Sequence, residues 1–316
     1  MDLPLASFRV VVAIATYKRP EGLAALLISL QKQESDHIFR IVVVDNDGSS
    51  SARNVTTNVA PEADYVLEPR RGISAARNAG IRKAMEYDPD AVAFVDDDET
   101  AATTWIGELV RKMVQHDADV VSGPVEYNLT SAPADHKYFQ KLQRPDGSTV
   151  KYVATNNTLV RASWFEGSDP LWFNEAYGLT GGEDLELFLR LQKRGGRCIW
   201  AERAVVSTQV PEERTRKDWI TQREFRNGQM IARLNQQFDG LSRPTMVLVG
   251  IGKFVSGLIL ASRARLGRRV NIAAEYKVFA GAGWVSAALG WYYREYRHPT
   301  PAAVPLPRQT EHTSGD

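Results

Sequence analysis

AVAFVDDD, residues 91–98, joins five apolar residues directly to three aspartates. Ala91–Val95 is too short for a helix and has no polar position, so it reads as a strand buried on both faces. FRVVVAIA (Phe8–Ala15) and RIVVVD (Arg40–Asp45) are runs of the same kind. Between them, after Pro20, comes LAALLISLQKQ, with Leu23, Leu26, Leu27 and Leu30 at helical spacing. Tyr65–Leu67 reads as a weaker third strand and Gly72–Tyr87 (GISAARNAGIRKAMEY) as a helix. Thr103–His116 and Ala118–Ser122 repeat the helix and strand. The alternation predicts an α/β fold, a mostly parallel central sheet flanked by helices on both faces.

Sheets of this type bind ligands beyond the carboxyl ends of their strands. Three polar clusters fall there: Thr16-Tyr17-Lys18-Arg19, Asp45-Asn46-Asp47 and Asp96-Asp97-Asp98. One such cluster is ordinary loop polarity. Three on one edge mark a site. In an extended segment residues i and i+2 point the same way, so Asp96 and Asp98 share a task and Asp97 faces elsewhere. Carboxylates this close repel unless a cation offsets them. Hard oxygen ligands suit Mg²⁺ or Mn²⁺, which takes one or two carboxylates and completes its shell with phosphate oxygens. The plainer reading, a capped helix start, needs one aspartate rather than three.

The second half adds two features. VATNNTLVR (residues 153–161) reads as a strand, yet carries Asn156 and Asn157 side by side. Asparagine pairs are disfavoured there, so they mark either a site or a bulged edge. Gly181-Gly182-Glu183-Asp184 precedes Leu185–Lys193 (LELFLRLQK), a helix whose expected buried stripe is Leu185, Phe188 and Leu189. The acid pair either caps that helix or serves a ligand, which the two glycines would let approach closely.

The order and spacing of these motifs resemble the family 2 inverting glycosyltransferases with the GT-A fold. The likeness runs through the Val-Val-Asp loop, Gly-Ile-Ser-Ala-Ala-Arg-Asn and the Asp-x-Asp strand end, and covers roughly Phe8 to Leu234. The subgroup it resembles is the succinoglycan-type exopolysaccharide glucosyltransferases. By that resemblance Thr16, Tyr17 and Arg19 line a nucleotide pocket, with Asp45 accepting from the uracil imide N–H and Asp47 beside it. Relatives often carry a second Asp where this chain has Asn46. The resemblance also implies that Arg77 and Asn78 lie near base and diphosphate. Asp96 would hold the ribose or a metal-bound water, and Asp98 the metal. Asn156 and Asn157 would stand near the donor sugar. Asp184 would be the catalytic base, with Glu183 supporting it. Arg214, Arg223 and Arg226 fall in a segment that closes over the donor in relatives; a solvated basic helix face is the alternative for each. Relatives often have a histidine near position 208, where this chain has Thr208 and Gln209.

Met246–Ala261 and Val278–Tyr293 are apolar runs of about 16 residues, roughly 24 Å as helix and short of a comfortable membrane span. On a helical wheel Lys253, Ser256, Gly257 and Arg263 fall on one side, opposite Ile251, Phe254, Val255 and Leu258. That predicts an amphipathic hairpin in the membrane interface, with Trp284, Trp291, Tyr292 and Tyr293 at headgroup level. A hairpin packed on the main domain or on a second subunit, giving an oligomer, is the alternative. The expected organisation is a catalytic domain over 1–212, a helical segment near the donor over 213–241, the hairpin over 242–297 and a disordered tail over 298–316.

With 39 basic and 38 acidic residues the chain is nearly neutral, and nothing global points to nucleic acid. Cys198 is its only cysteine, which fits a reducing compartment. The first apolar run is too short for an export signal. The expectation is therefore a peripheral or monotopic enzyme on the cytoplasmic face of an inner membrane. It would use Mn²⁺ or Mg²⁺, a UDP-sugar donor and a saccharide or lipid-linked saccharide acceptor in surface polysaccharide synthesis. A sugar nucleotidyltransferase would carry a Gly-rich first loop, which Thr-Tyr-Lys-Arg-Pro is not. A dinucleotide dehydrogenase would need G-x-G-x-x-G after a strand. A silent nucleotide-sugar binder or membrane scaffold would have no use for Asp184.

Overall fold

The structure, a computed structural model, describes residues 8–129, 139–266 and 271–294. Its first half alternates as expected: β1 (Arg9–Thr16), α1 (Pro20–Gln31), β2 (Ile38–Asp45), α2 (Arg53–Val59), β3 (Asp64–Leu67), α3 (Ile73–Met85), β4 (Ala91–Val95). Then come β5 (Glu99–Ala101), α4 (Trp105–Gln115), β6 (Val120–Ser122), β7 (Val125–Leu129), β8 (Asn157–Arg161), α5 (Glu183–Lys193), β9 (Cys198–Trp200) and β10 (Val206–Val210). The main sheet has seven strands in the order β3-β2-β1-β4-β8-β6-β9. Its pairings are parallel except those of β8, which runs antiparallel to β4 and β6.

The two-residue period of β1 explains the layers. Val10, Val12 and Ile14 pack on one face with Leu23, Leu26, Leu27 and Leu30 of α1. Val11 and Ala13 pack on the other with Ala76, Ala79 and Ile81 of α3. A second sheet, β5-β10-β7, stands beside the first; β10 pairs antiparallel with β5 and parallel with β7. Its strands are too short to be legible as a pattern.

The structure departs from the sequence expectation in three places. Helix α2 (RNVTTNV) was not expected, because Thr56 is its only buried residue and it has no apolar period. Helix α5 begins at Glu183 and buries Leu187, Phe188 and Leu191, whereas Leu185 and Leu189 are half-buried. Leu185 lies in the first turn, which turns toward the cavity described below.

The third departure concerns the C-terminal helices: the short α6 (Glu212–Thr215), α7 (Lys217–Asp239), α8 (Arg243–Leu266) and α9 (Ile272–Ala288). Helix α8 has 24 residues, not 16, and is roughly 36 Å long. By length and composition it could cross a membrane. The residues it buries are Met246, Gly250, Gly257 and Ala261, all but the first small. Leu248, Ile251, Phe254, Val255, Leu258, Ile259 and Leu260 are exposed, Leu248 to 70%. The apolar side expected to face a membrane is indeed outward; on the opposite side Gly257 is buried and Lys253 and Ser256 are half-buried, whereas Arg263 is exposed. Gly257 abuts Ala274 O of α9, and the Lys253 ammonium lies 5.8 Å from the Trp284 ring. The expected tail, 298–316, lies outside the described residues.

Glycines let these helices touch backbone to backbone. A Cβ on Gly283 of α9 would fall 2.1 Å from Phe225 O of α7, and one on Gly228 of α7 would fall 2.2 Å from Ala280 O. Gly283→Ala must therefore push α9 off α7. The expected loss is about 1–3 kcal/mol, seen as a fall of several degrees in Tm in thermal unfolding. An unchanged Tm would contradict this packing.

Candidate active site

A cavity of about 790 Å³ opens beyond the carboxyl ends of β1, β4, β6 and β9, with Thr16, Asp96, Ser122 and Trp200 on its wall. Because β8 runs the other way, its amino end, preceded by Asn156, reaches the same place. Of the expected residues, Thr16, Tyr17, Arg19, Arg77, Asp96, Asp98, Asn156, Glu183, Asp184, Arg214, Arg223 and Arg226 all line it.

Asp97 is the structural member of the triplet. Its buried carboxylate accepts from Thr16 Oγ1 (2.8 Å), the Tyr17 amide (3.4 Å) and Arg19 Nη1 (2.9 Å). That ties the loop after β1 to the end of β4. Gly22 completes the junction: a Cβ there would sit 2.6 Å from Asp97 O. Asp98 carries its charge to the cavity, where Arg19 Nη1 (3.0 Å) and Arg214 Nη1 (3.3 Å) meet the same oxygen. Thr208 Oγ1 donates to Asp98 O at 2.9 Å, so position 208 anchors backbone here.

Arg77 joins the two acidic clusters. Its side chain is 10% exposed; Nη2 lies 3.3 Å from Asp96 Oδ1, and Nη1 bonds Glu183 Oε1. One guanidinium thus serves two carboxylates, and Glu183 Oε2 has no partner among the described residues. Withdrawal from bulk water in the cavity wall pushes the Asp96 carboxyl upward, with Asp98, Asp97 and Asp184 adding and Arg77 opposing. Burial likewise pushes Glu183 up to about 7, with Arg77 opposing and Asp184 and Asp96 adding.

Asp184 occupies the second position of α5, and its Oδ1 accepts from the Leu185 amide at 2.7 Å. Gly181 and Gly182 bring the chain there with φ of 78° and 88°. A Cβ on Gly182 would strike Met230 of α7 at 2.6 Å, so glycine is needed for both torsion and space.

Four expected residues are not on the wall. The buried Asp45 carboxylate is filled by the Asp47 amide (2.9 Å), the Ala52 amide (2.8 Å) and Tyr65 Oη (3.0 Å). It shapes the loop from a fully buried position; Asp47, also buried, accepts from Ser49. Asn46 lines the cavity instead and clamps Glu68 O, Arg70 O and the Gly72 amide ahead of α3. Asn78 pairs with both backbone groups of Phe173. Asn157 accepts from Trp105 Nε1 (2.8 Å) and donates to Pro124 O and Ala204 O, tying β8 to both sheets' loops. Two wall features were missed. Glu99 is buried, accepts from the Asp96 amide (3.2 Å) and Asn156 Nδ2 (3.1 Å), and is held well above the usual range, first by burial and then by Asp96. Its place next to the triplet was the available signal. Tyr127, Tyr152, Trp200 and Trp219 line the far side, and no spacing rule marks them.

The donor set bears on the divalent cation. Among the described residues no three His, Cys, Asp or Glu side chains gather closely enough to hold an ion alone. Asp96 is 43% exposed and faces an acid-rich cavity. The residues fit an ion taken by one or two carboxylates and completed by phosphate oxygens.

Comparison with known proteins agrees with this fold. A family model described as "Glycosyl transferase family 2" matches residues 11–167. The succinoglycan biosynthesis protein ExoM of Rhizobium meliloti is 31% identical over 244 residues, covering 73% of this chain and 77% of that protein. The glucosyl-dolichyl phosphate glucuronosyltransferase of Haloferax volcanii is 25% identical over 242 residues, covering 70% and 75%. In fold the chain is similar to S. aureus TarS 1-349 in complex with UDP, with a TM-score of 0.52 and 18% identity over 91% of this chain and 93% of that one.

The raised Glu183 has a stability consequence. Between about 4.5 and 7 the native state holds a proton that the unfolded chain has released, so stability falls as pH rises through that window. Glu183→Gln removes this dependence. Relative to the wild type, the variant's Tm should rise from pH 5 to pH 8 in thermal unfolding without ligand. A difference that is flat with pH, or falls, would contradict the raised carboxyl.

Proposed function

Since the chain belongs to glycosyl transferase family 2, we propose that it transfers a sugar, with inversion, from a UDP-sugar to a hydroxyl of a saccharide or lipid-linked saccharide acceptor. The observation that carries this reading is the Arg77 bridge, which keeps a donor-side acid, Asp96, and an acceptor-side pair, Glu183-Asp184, on one cavity.

Inversion needs attack on the face of the anomeric carbon opposite the leaving group, by a hydroxyl relieved of its proton. Asp184 takes that proton. It stands at the cavity in the first turn of α5, and Glu183 behind it fixes the turn through Arg77. As the acceptor oxygen bonds the anomeric carbon, the bond from that carbon to the diphosphate oxygen breaks, and the departing nucleoside diphosphate takes the electron pair and needs cationic partners. Arg19 and Arg214 meet on Asp98 and can turn to a diphosphate; Arg223 and Arg226 face the same space. Asp96 and Asp98 would hold Mn²⁺ or Mg²⁺, which when bound offsets the charge developing on the leaving diphosphate. Thr16, Tyr17 and Asn46 border the nucleotide end, and Asn156 the donor sugar. Asp45 contributes by holding the Asn46 loop.

We place the enzyme in polysaccharide synthesis at the cytoplasmic face of a membrane. The support is the apolar outer face of α8 and the likeness to ExoM. A relative whose name specifies a dolichyl-phosphate-linked acceptor supports the lipid-linked option.

Asp184→Asn tests the assignment. Transfer and slow donor hydrolysis should fall by roughly 10²–10⁴-fold while UDP affinity stays within about twofold. Proton NMR of the wild-type product should show the anomer opposite to the donor's. Near-normal turnover in the variant would remove Asp184 from its role, and a product with the donor's anomeric configuration would remove inversion.

A further inference from the structure

Helix α7 separates two recesses. Trp219, Arg223 and Asn227 face the catalytic cavity, while Lys217, Asp218 and Thr221 on the opposite side of the same turns face a groove of about 540 Å³. The groove runs between the end of α8 and the first half of α9. Leu258, Ala261, Val278 and Phe279 make most of its inner surface hydrocarbon. Its rim is charged. Lys217 and Arg265 both pair with Glu275, Arg265 Nη2 at 3.2 Å, and Asp218 stands beside them. From Arg263 to Lys277 the chain carries Arg263, Arg265, Arg268, Arg269 and Lys277 against Glu275 as its one acid. Leu258 and Phe279 belong both to the groove and to the exposed apolar surface of α8 and α9.

These features match one class of molecule: a hydrocarbon chain ending in a phosphate that bears the acceptor saccharide. The chain would pass from the apolar face of α8 into the groove without crossing water. Lys217 and Arg265 are the cations at the rim, converging on Glu275, and both can extend to a phosphate. Only the width of one helix, about 10–12 Å, separates that rim from the catalytic cavity, so a sugar on the phosphate can turn the first turn of α7 and reach it.

We propose that this groove binds the lipid-phosphate end of the acceptor: the chain on Leu258, Val278 and Phe279, the phosphate at Lys217 and Arg265. The inference rests on the reading of the neighbouring cavity as the sugar-transfer site. It selects the lipid-linked acceptor over a free saccharide.

The test is calorimetric titration of the full chain in nonionic detergent with farnesyl phosphate, farnesol and inorganic phosphate, alongside UDP as a control. Farnesyl phosphate should bind and either half alone should bind at least about tenfold more weakly. Val278→Trp, which fills the groove, should weaken farnesyl phosphate about tenfold or more. Lys217→Glu, an exposed change that leaves the core alone, should weaken it about fivefold or more, and both variants should keep UDP affinity within about twofold. No binding by the wild type, or equal binding by both variants, would overturn the proposal. So would binding of phosphatidylglycerol, presented in the same detergent, as tight as that of farnesyl phosphate, because the groove would then be a contact for bulk anionic lipid. Loss of UDP binding by the wild type would instead strike the sugar-transfer reading, whatever farnesyl phosphate does.

Discussion

A single buried guanidinium organises the site. Arg77 sits on α3, its side chain nearly enclosed, with Asp96 at one end and Glu183 at the other. Removing one partner of a buried pair strands the other's charge, at a cost of about 3–5 kcal/mol. The arrangement therefore fixes where the end of β4 stands relative to the start of α5. Nothing else among the described side-chain contacts links these two acidic clusters directly. The spacing of the two acidic clusters thus depends on one side chain on a helix that packs against β1 and β2.

Arg77 does not neutralise what it gathers. Asp96, Asp97, Asp98, Glu99, Glu183 and Asp184 share the cavity wall, and withdrawal from bulk water and mutual repulsion hold Asp96, Asp97, Glu99 and Glu183 above their usual range. Arg19 and Arg214 answer part of this charge at Asp98. A site built with surplus negative charge favours ligands that arrive with a cation, and a diphosphate is such a ligand. The same surplus favours a carboxylate that accepts a proton from an incoming hydroxyl, which is the task assigned to Asp184.

Much of this was legible in the chain, for identifiable reasons. The strands of the first half are dense in β-branched residues and end in polar clusters, so both the sheet and its functional edge follow from composition and order. Edge position says nothing about depth, however. Asp45 and Asp96 both end apolar strands, yet one carboxylate is filled by its own loop and the other opens to the cavity. Asn156 and Asn157 are neighbours in a strand-like run, and the alternation of side-chain direction sends one to the cavity and the other into a knot between loops. The helical wheel of α8 sorts its two sides as the structure does, with Ile251, Phe254, Val255 and Leu258 outward, but it does not show that the contact with α9 is made through glycines. A hydropathy pattern carries no signal for backbone contact, which needs only the smallest residues, here Gly250 and Gly257.

The proposed function requires the acid-rich cavity to bind a uridine diphosphate together with a divalent cation. Calorimetric titration with UDP, with and without Mn²⁺, on the wild type and on Asp98→Ala measures this directly. The account predicts binding in the micromolar range that requires Mn²⁺ and is lost in the variant. No binding of UDP under any metal, or binding indifferent to both Mn²⁺ and Asp98, would contradict it.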